Sequence, residues 1–245
     1  MLRKLSAILV ALLVWHTAAS LADSVIFPAP IDCLAAAERA IDNGTLVANA
    51  KASLARVATG YAIAAVFGVL LGALSGITAV VGLGFRDVLE LLRPIPPIAW
   101  VPIAILWFGL GDSSAWFVVF LGAFFPIFIQ VSHAFANCPE EHLEVARAYE
   151  ASPMATFLWV RIPAAAPDIA QGLRIGLGLA WTSVIAAELV GVKNGLGDRI
   201  QQLRYVADYE GMVVCMIAIG LLGWSMTSFA NLAQRWFIPW QKSSV

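Results

Sequence analysis

Six apolar stretches, each about as long as a bilayer crossing requires, account for most of this 245-residue chain. They run over 5–22, 55–83, roughly 93–111, 115–136, 169–190 and 212–232. In hydrocarbon every backbone N–H and C=O must be satisfied within the protein, so such stretches fold as helices. Composition points the same way. Hydrophobic residues make up 60% and charged residues 13%, and mean hydropathy is +0.83. Soluble domains hold roughly half and a quarter respectively. The expected fold class is therefore an all-α membrane protein with about six transmembrane helices. A net charge of −1 gives no basis for a nucleic-acid partner. Cys33, Cys138 and Cys215 are odd in number and scattered, which indicates neither a disulfide framework nor a metal site. His16, His133 and His142 form no ligand pair at useful spacing, so no metal, cofactor or catalytic residue is expected.

The chain divides into three parts. Residues 1–22, apolar behind a basic start, form a first transmembrane helix or, alternatively, a signal peptide with Ser20-Leu21-Ala22 as its cleavage site. Residues 23–54 form an extramembrane segment with an amphipathic helix over 31–41, begun by Pro28, Pro30 and Asp32. Residues 55–245 form a five-helix core interrupted by a polar loop, 137–168. Gly68, Gly72 and Gly76 recur every four residues on the second span, and Gly172, Gly176 and Gly178 mark the fifth. Small-residue stripes of this kind let helices approach closely. Pro96, Pro97 and Pro102 each remove a backbone donor, so the third span must be short, bent or interrupted. Asp112-Ser113-Ser114 is expected to cap the fourth, and Pro167-Asp168 to open the fifth. A short helix is expected over 199–209.

The polar segment from Glu140 to Pro163 reads as an amphipathic helix, a tight break, a second short helix and a proline stop. Pro139 suits the first helical position, with Asn137 near the cap. Glu140, Glu141 and Glu144 oppose the positive end of the helix dipole. Leu143, Ala146 and Ala148–Tyr149 supply an apolar side, and Ser152-Pro153 starts the next helix. Alternation from a cytoplasmic N-terminus places this segment inside the cell, and nine Lys or Arg then lie inside against six outside.

In its spacing the segment resembles the EAA loop of ABC importer permeases: Glu-Ala-Ala, three residues, Gly, nine residues, then Ile-x-Leu-Pro. Glu144-Val145-Ala146 fills the first part, and Val160-Arg161-Ile162-Pro163 falls in register for the last. The third span, Leu92 to Gly109, and the stretch from Gly172 to Gly191 resemble the nitrate, sulfonate and taurine permeases of that family, taurine-type most of all. The resemblance implies a type I ABC importer permease fold with a cytoplasmic coupling loop. Glu144, Val145, Ala146, Arg147, Tyr149, Glu150, Ser152, Ile162 and Pro163 would then meet the ATPase. It also implies a second permease copy, two ATP-binding ATPase subunits carrying ATP and Mg, a solute-binding protein outside, and the bacterial inner membrane. The implied cargo is taurine or another sulfonate, with nitrate or bicarbonate as the alternative. The family's glycine is replaced here by Glu150. Either the bend is made differently or the chain accepts a strain of roughly 1 kcal/mol.

Seven residues are candidates for the translocation pathway. Glu188 lies far along the fifth span, as a gate or network residue near the outer mouth or as an interfacial carboxylate bonded to the neighbouring loop. Arg174 either meets a passing anion or snorkels or pairs between helices. Trp100, Trp107, Trp181, Thr182 and Ser183 either line a midplane cavity or pack. Nothing resembles a nucleotide-cradling Gly-x-x-x-x-Gly-Lys-Ser/Thr loop, so ATP chemistry would belong to another chain. A secondary transporter is the competing class, since broken helices at midplane suit it too. An intramembrane enzyme is disfavoured, because Gly223-Trp224-Ser225 is followed by Met226 where a serine-hydrolase elbow needs glycine.

Overall fold

The structure is a computed structural model that describes residues 2–22, 24–78, 88–89 and 91–238. Among these, regular structure is entirely helical: α1 (Leu2–Ala22), α2 (Pro30–Asp42), α3 (Thr45–Ile77), a 3-10 turn (Pro97–Trp100), α4 (Val101–Phe108), α5 (Asp112–Ala136), α6 (Glu140–Ala148), α7 (Pro153–Thr156), a π turn (Phe157–Arg161), α8 (Ile162–Val190), α9 (Leu196–Tyr205) and α10 (Tyr209–Phe237). Four runs are long and apolar enough to cross a membrane: Thr45–Ile77, Asp112–Ala136, Pro153–Val190 and Tyr209–Trp236. Ser6–Ala22 and Pro97–Phe108 are shorter apolar helices, which brings the expected six spans to four long and two short. The third span is interrupted, as its prolines require. A 3-10 turn and eight α-helical residues end at Gly109, whose φ of 78° few side chains tolerate.

The core is the trio α3, α5 and α8, with Val57, Val119, Ile127, Phe128, Val131 and Val184 fully buried between them. The glycine stripes produce this closeness. A Cβ on Gly72 would lie 2.8 Å from the Phe128 carbonyl oxygen, and one on Gly76 would lie 2.5 Å from that of Ser132. On α8, Gly176 admits Ile127 in the same way, whereas Gly178 faces open space and is not part of the contact. Such backbone approach lets helices associate in lipid without a hydrophobic driving force.

Several boundaries differ from the sequence reading. Pro163 does not stop a helix and Pro167 does not start one, because the chain is helical without a break from Pro153 to Val190. The π turn at Phe157–Arg161 ends two residues before Pro163, and its wider backbone spacing accommodates a residue that cannot donate. Asp112 does not cap α5. Gly111 occupies that position, with the Ser114 hydroxyl donating to its carbonyl at 2.8 Å. Asn137 closes α5 through His133 O (3.0 Å) and does not open the next helix. The short outer helix lies at 196–205. The amphipathic α2 begins at Pro30 as expected, with the Asp32 carboxylate accepting from Ala29 N at 3.3 Å.

Candidate functional site

The segment that resembles the EAA loop joins α5 to α8 at one end of the bundle. Leu143 and Ala146 turn inward and are buried. Glu144, Val145, Arg147, Ala148, Tyr149 and Glu150 are exposed. Ala148 and Tyr149 are therefore on the outward side, contrary to the amphipathic reading, and Ala146 anchors the helix from beneath. Arg147 pairs with Glu140 two turns back, at 2.8 Å, with both side chains well exposed. An exposed pair of this kind contributes about 1 kcal/mol at most.

The break after α6 is closed by two hydrogen bonds. Ala151 N donates to Ala146 O and Glu150 N to Arg147 O, both at 3.0 Å. This 6→1 and 5→2 pattern is the Schellman motif, and its left-handed position falls on Glu150, φ 51°. The bend is thus made as a glycine would make it, with a side chain in glycine's place. Glu150→Gly is expected to raise stability by about 1 kcal/mol, read as a higher unfolding midpoint of the purified protein. An unchanged midpoint would mean that the strain is relieved elsewhere. Ser152 then caps α7, its hydroxyl accepting from Ala155 N at 3.2 Å. Ile162 and Pro163 lie half-buried in the first turn of α8. Beside them, Pro139, His142, Val145, Trp159 and Pro167 border an open groove of about 770 Å³.

The pathway candidates fall into different environments. Trp181 is buried and donates its indole N–H to Ile219 O at 3.0 Å, with Gly223 close against its ring, so it joins α8 to α10. Arg174 donates to Asn231 Oδ1 on α10 at 3.0 Å. Trp107 is largely exposed, edge-on to Phe108 and Phe117. Trp100 is half-buried, and its indole N–H is buried without a partner among the described residues. Ser183 is buried opposite Gly122 and bonds Leu179 O at 2.6 Å, whereas Thr182 is exposed.

Glu188 sits at the other end of the bundle, and here the structure shows what the sequence concealed. It is 1% exposed. Its carboxylate accepts from Ser53 Oγ (2.8 and 2.9 Å), Arg56 Nη1 (2.7 Å) and Gly197 N (3.0 Å). Arg56, also buried, sends its Nε to Asp112 Oδ1 (2.7 Å), Nη2 to Lys193 O (3.0 Å) and Nη1 to Asn194 O as well. Leu196 N donates to Ser53 Oγ at 2.9 Å, and Gly195 N to Asn49 Oδ1 at 2.7 Å. Glu188 thus bonds the neighbouring loop and is also the hub of a buried ion cluster. Arg56, Ser53 and Asn49 carry no expectation from the sequence, and Asp112 only that of a helix cap. The available signal was an arginine one helical turn past Ser53 at the mouth of an apolar span. With Arg56 engaged by two carboxylates, the cluster offers no open cationic site to an anion. Cys33, Cys138 and Cys215 are free thiols.

Residues 52–243 match the family described as the binding-protein-dependent transport system inner membrane component. The chain is 30% identical over 241 residues to the putative aliphatic sulfonates transport permease protein SsuC of Bacillus subtilis (strain 168), covering 98% of this chain and 87% of that one. It is 37% identical over 192 residues to the bicarbonate transport system permease protein CmpB of Synechococcus elongatus, covering 76% and 68%. In fold it is similar to a chain of the inward-facing MetNI methionine ABC transporter, with a TM-score of 0.66, 23% identity, and coverage of 78% of this chain and 95% of that one. Members of such a family work with ATPase and binding-protein partners. The chain belongs to the binding-protein-dependent transport system inner membrane component family as an ABC importer permease, a transport subunit rather than an enzyme.

Proposed function

We propose that this chain imports a small anion, taurine or another sulfonate, across the bacterial inner membrane. Nitrate or bicarbonate is the second reading, since a bicarbonate permease is among its relatives. Two copies would pair about a two-fold axis, each seating its coupling segment in a groove on one ATPase subunit, with ATP and Mg held there and no cofactor in this chain. A solute-binding protein would deliver the anion from outside. Closure of the ATPases would draw the two segments together, and rigid-body rocking would switch access.

One observation carries the reading: α6 is only nine residues long, ends in a Schellman turn, and presents Glu144, Val145 and Tyr149 outward between α5 and α8. A small stiff knob transmits force because it cannot flex. The test is reconstitution with the ATPase and solute-binding protein, screening taurine, other sulfonates, nitrate and bicarbonate for stimulated ATP hydrolysis and uptake. Glu144→Arg in that system should leave the protein folded and ATP hydrolysis running while uptake falls. Undiminished uptake would remove Glu144 from the docking surface.

A further inference from the structure

The α5–α8 pair is a hairpin whose closed end is the coupling segment. At about 1.5 Å per residue, α5 extends roughly 37 Å from that end, and α8 runs alongside it. The open end of the hairpin consists of the first residue of α5, Asp112, and a residue two from the end of α8, Glu188. Arg56 of α3 bonds both carboxylates, through Nε to Asp112 and Nη1 to Glu188, each at 2.7 Å. A planar guanidinium fork serves this purpose, because it fixes two acceptors in one plane where an ammonium would hold one point. Along the hairpin's length the contacts are of another kind. Gly122 faces Ser183, Gly172 faces Gln130, and Gly176 faces Ile127. Contacts of this kind set the separation of two helices but resist sliding along their axes only weakly.

The geometry points to Arg56 as a positioning residue for transport: it closes the open end of the hairpin, making a rigid lever that delivers displacement of the coupling segment to the outer end. Without the strut, a push on α6 is partly lost as slip between α5 and α8. With it, α3, α5 and α8 move as one body, and the 191–198 loop follows, because Lys193, Asn194 and Gly197 are bonded to Arg56 or Glu188. This inference rests on the coupling segment receiving the ATPase's motion.

The test uses the assembled transporter in proteoliposomes, with spin labels at Tyr149 and, separately, at Ser113, each read as the distance between the two permease copies with and without ATP. Asp112→Ala severs the α5 arm alone and leaves Glu188 with Arg56, so folding is retained; Arg56→Lys keeps the charge but not the fork. In the unsubstituted transporter ATP should shift both distances. In Asp112→Ala the Tyr149 shift should persist, the Ser113 shift should shrink, and uptake per ATP hydrolysed should fall by up to about five-fold, the upper limit for losing one partly exposed ion pair. Arg56→Lys should do the same to a lesser degree. A full Ser113 shift with unchanged uptake per ATP in Asp112→Ala would overturn the strut. Loss of the Tyr149 shift in the unsubstituted transporter would instead overturn the coupling assignment, so the two failures are distinguishable.

Discussion

Glu188→Ala is expected to lower stability by roughly 3–5 kcal/mol, the usual penalty for removing one partner of a buried charge pair. The reason is what remains behind. Arg56 would keep Asp112 and two carbonyls but lose its buried counter-ion, and the N–H of Gly197 and the hydroxyl of Ser53 would lose their acceptor. Water cannot readily replace the lost carboxylate at a site only 1% exposed. Removing both charges together should be milder than the sum of the single losses, because no uncompensated ion is left. Thermal unfolding of the detergent-purified single and double variants, followed by tryptophan fluorescence, gives the comparison. A single-variant loss below about 1 kcal/mol would mean that the cluster contributes no more than an exposed pair does.

Gly195→Ala should be comparably damaging for a different reason. Gly195 has φ 126° and ψ 163°, a region essentially reserved for glycine. An added Cβ would also lie 2.4 Å from the Glu188 carboxyl carbon and 2.6 Å from Arg56 Nη1. Neither neighbour can withdraw, since each is held by several hydrogen bonds inside the cluster. Backbone strain and overpacking together should total roughly 3 kcal/mol. Gly178→Ala, on the same bundle but facing open space, is the matched control and should change little. Equal midpoints for the two variants would show that the 191–198 loop shifts freely, and the cluster would then be a loose surface feature.

The difference between these two glycines indicates how far the sequence could be read. Helical period and spacing pointed to both Gly176 and Gly178, because recurrence identifies a small-residue stripe without saying which member meets a neighbour. Similarly, the Ser152-Pro153 signal located a helix start correctly, since capping is local chemistry between a hydroxyl and a backbone three residues away. Pro163 and Pro167 were misjudged because the backbone's response to proline is not local. A π turn upstream lets the helix continue, and Phe157 within it stacks on Phe135 of α5. Glu150 fell between these cases. Its departure from glycine was visible, but whether the bend persisted depended on two hydrogen bonds that only coordinates reveal.

The order of residues alone determined the membrane class, the approximate spans, the broken third segment and the helix, break and helix of residues 140–156, because each rests on interactions within a few residues or on the solvent a segment requires. The union of Ser53, Arg56, Asp112, Glu188 and the 191–198 loop was decided by tertiary structure. Its members are bonded across as many as 143 positions in the chain. A charge in an apolar helix states that it needs a partner, and only the packing of three helices at glycine distance selects which partner it finds.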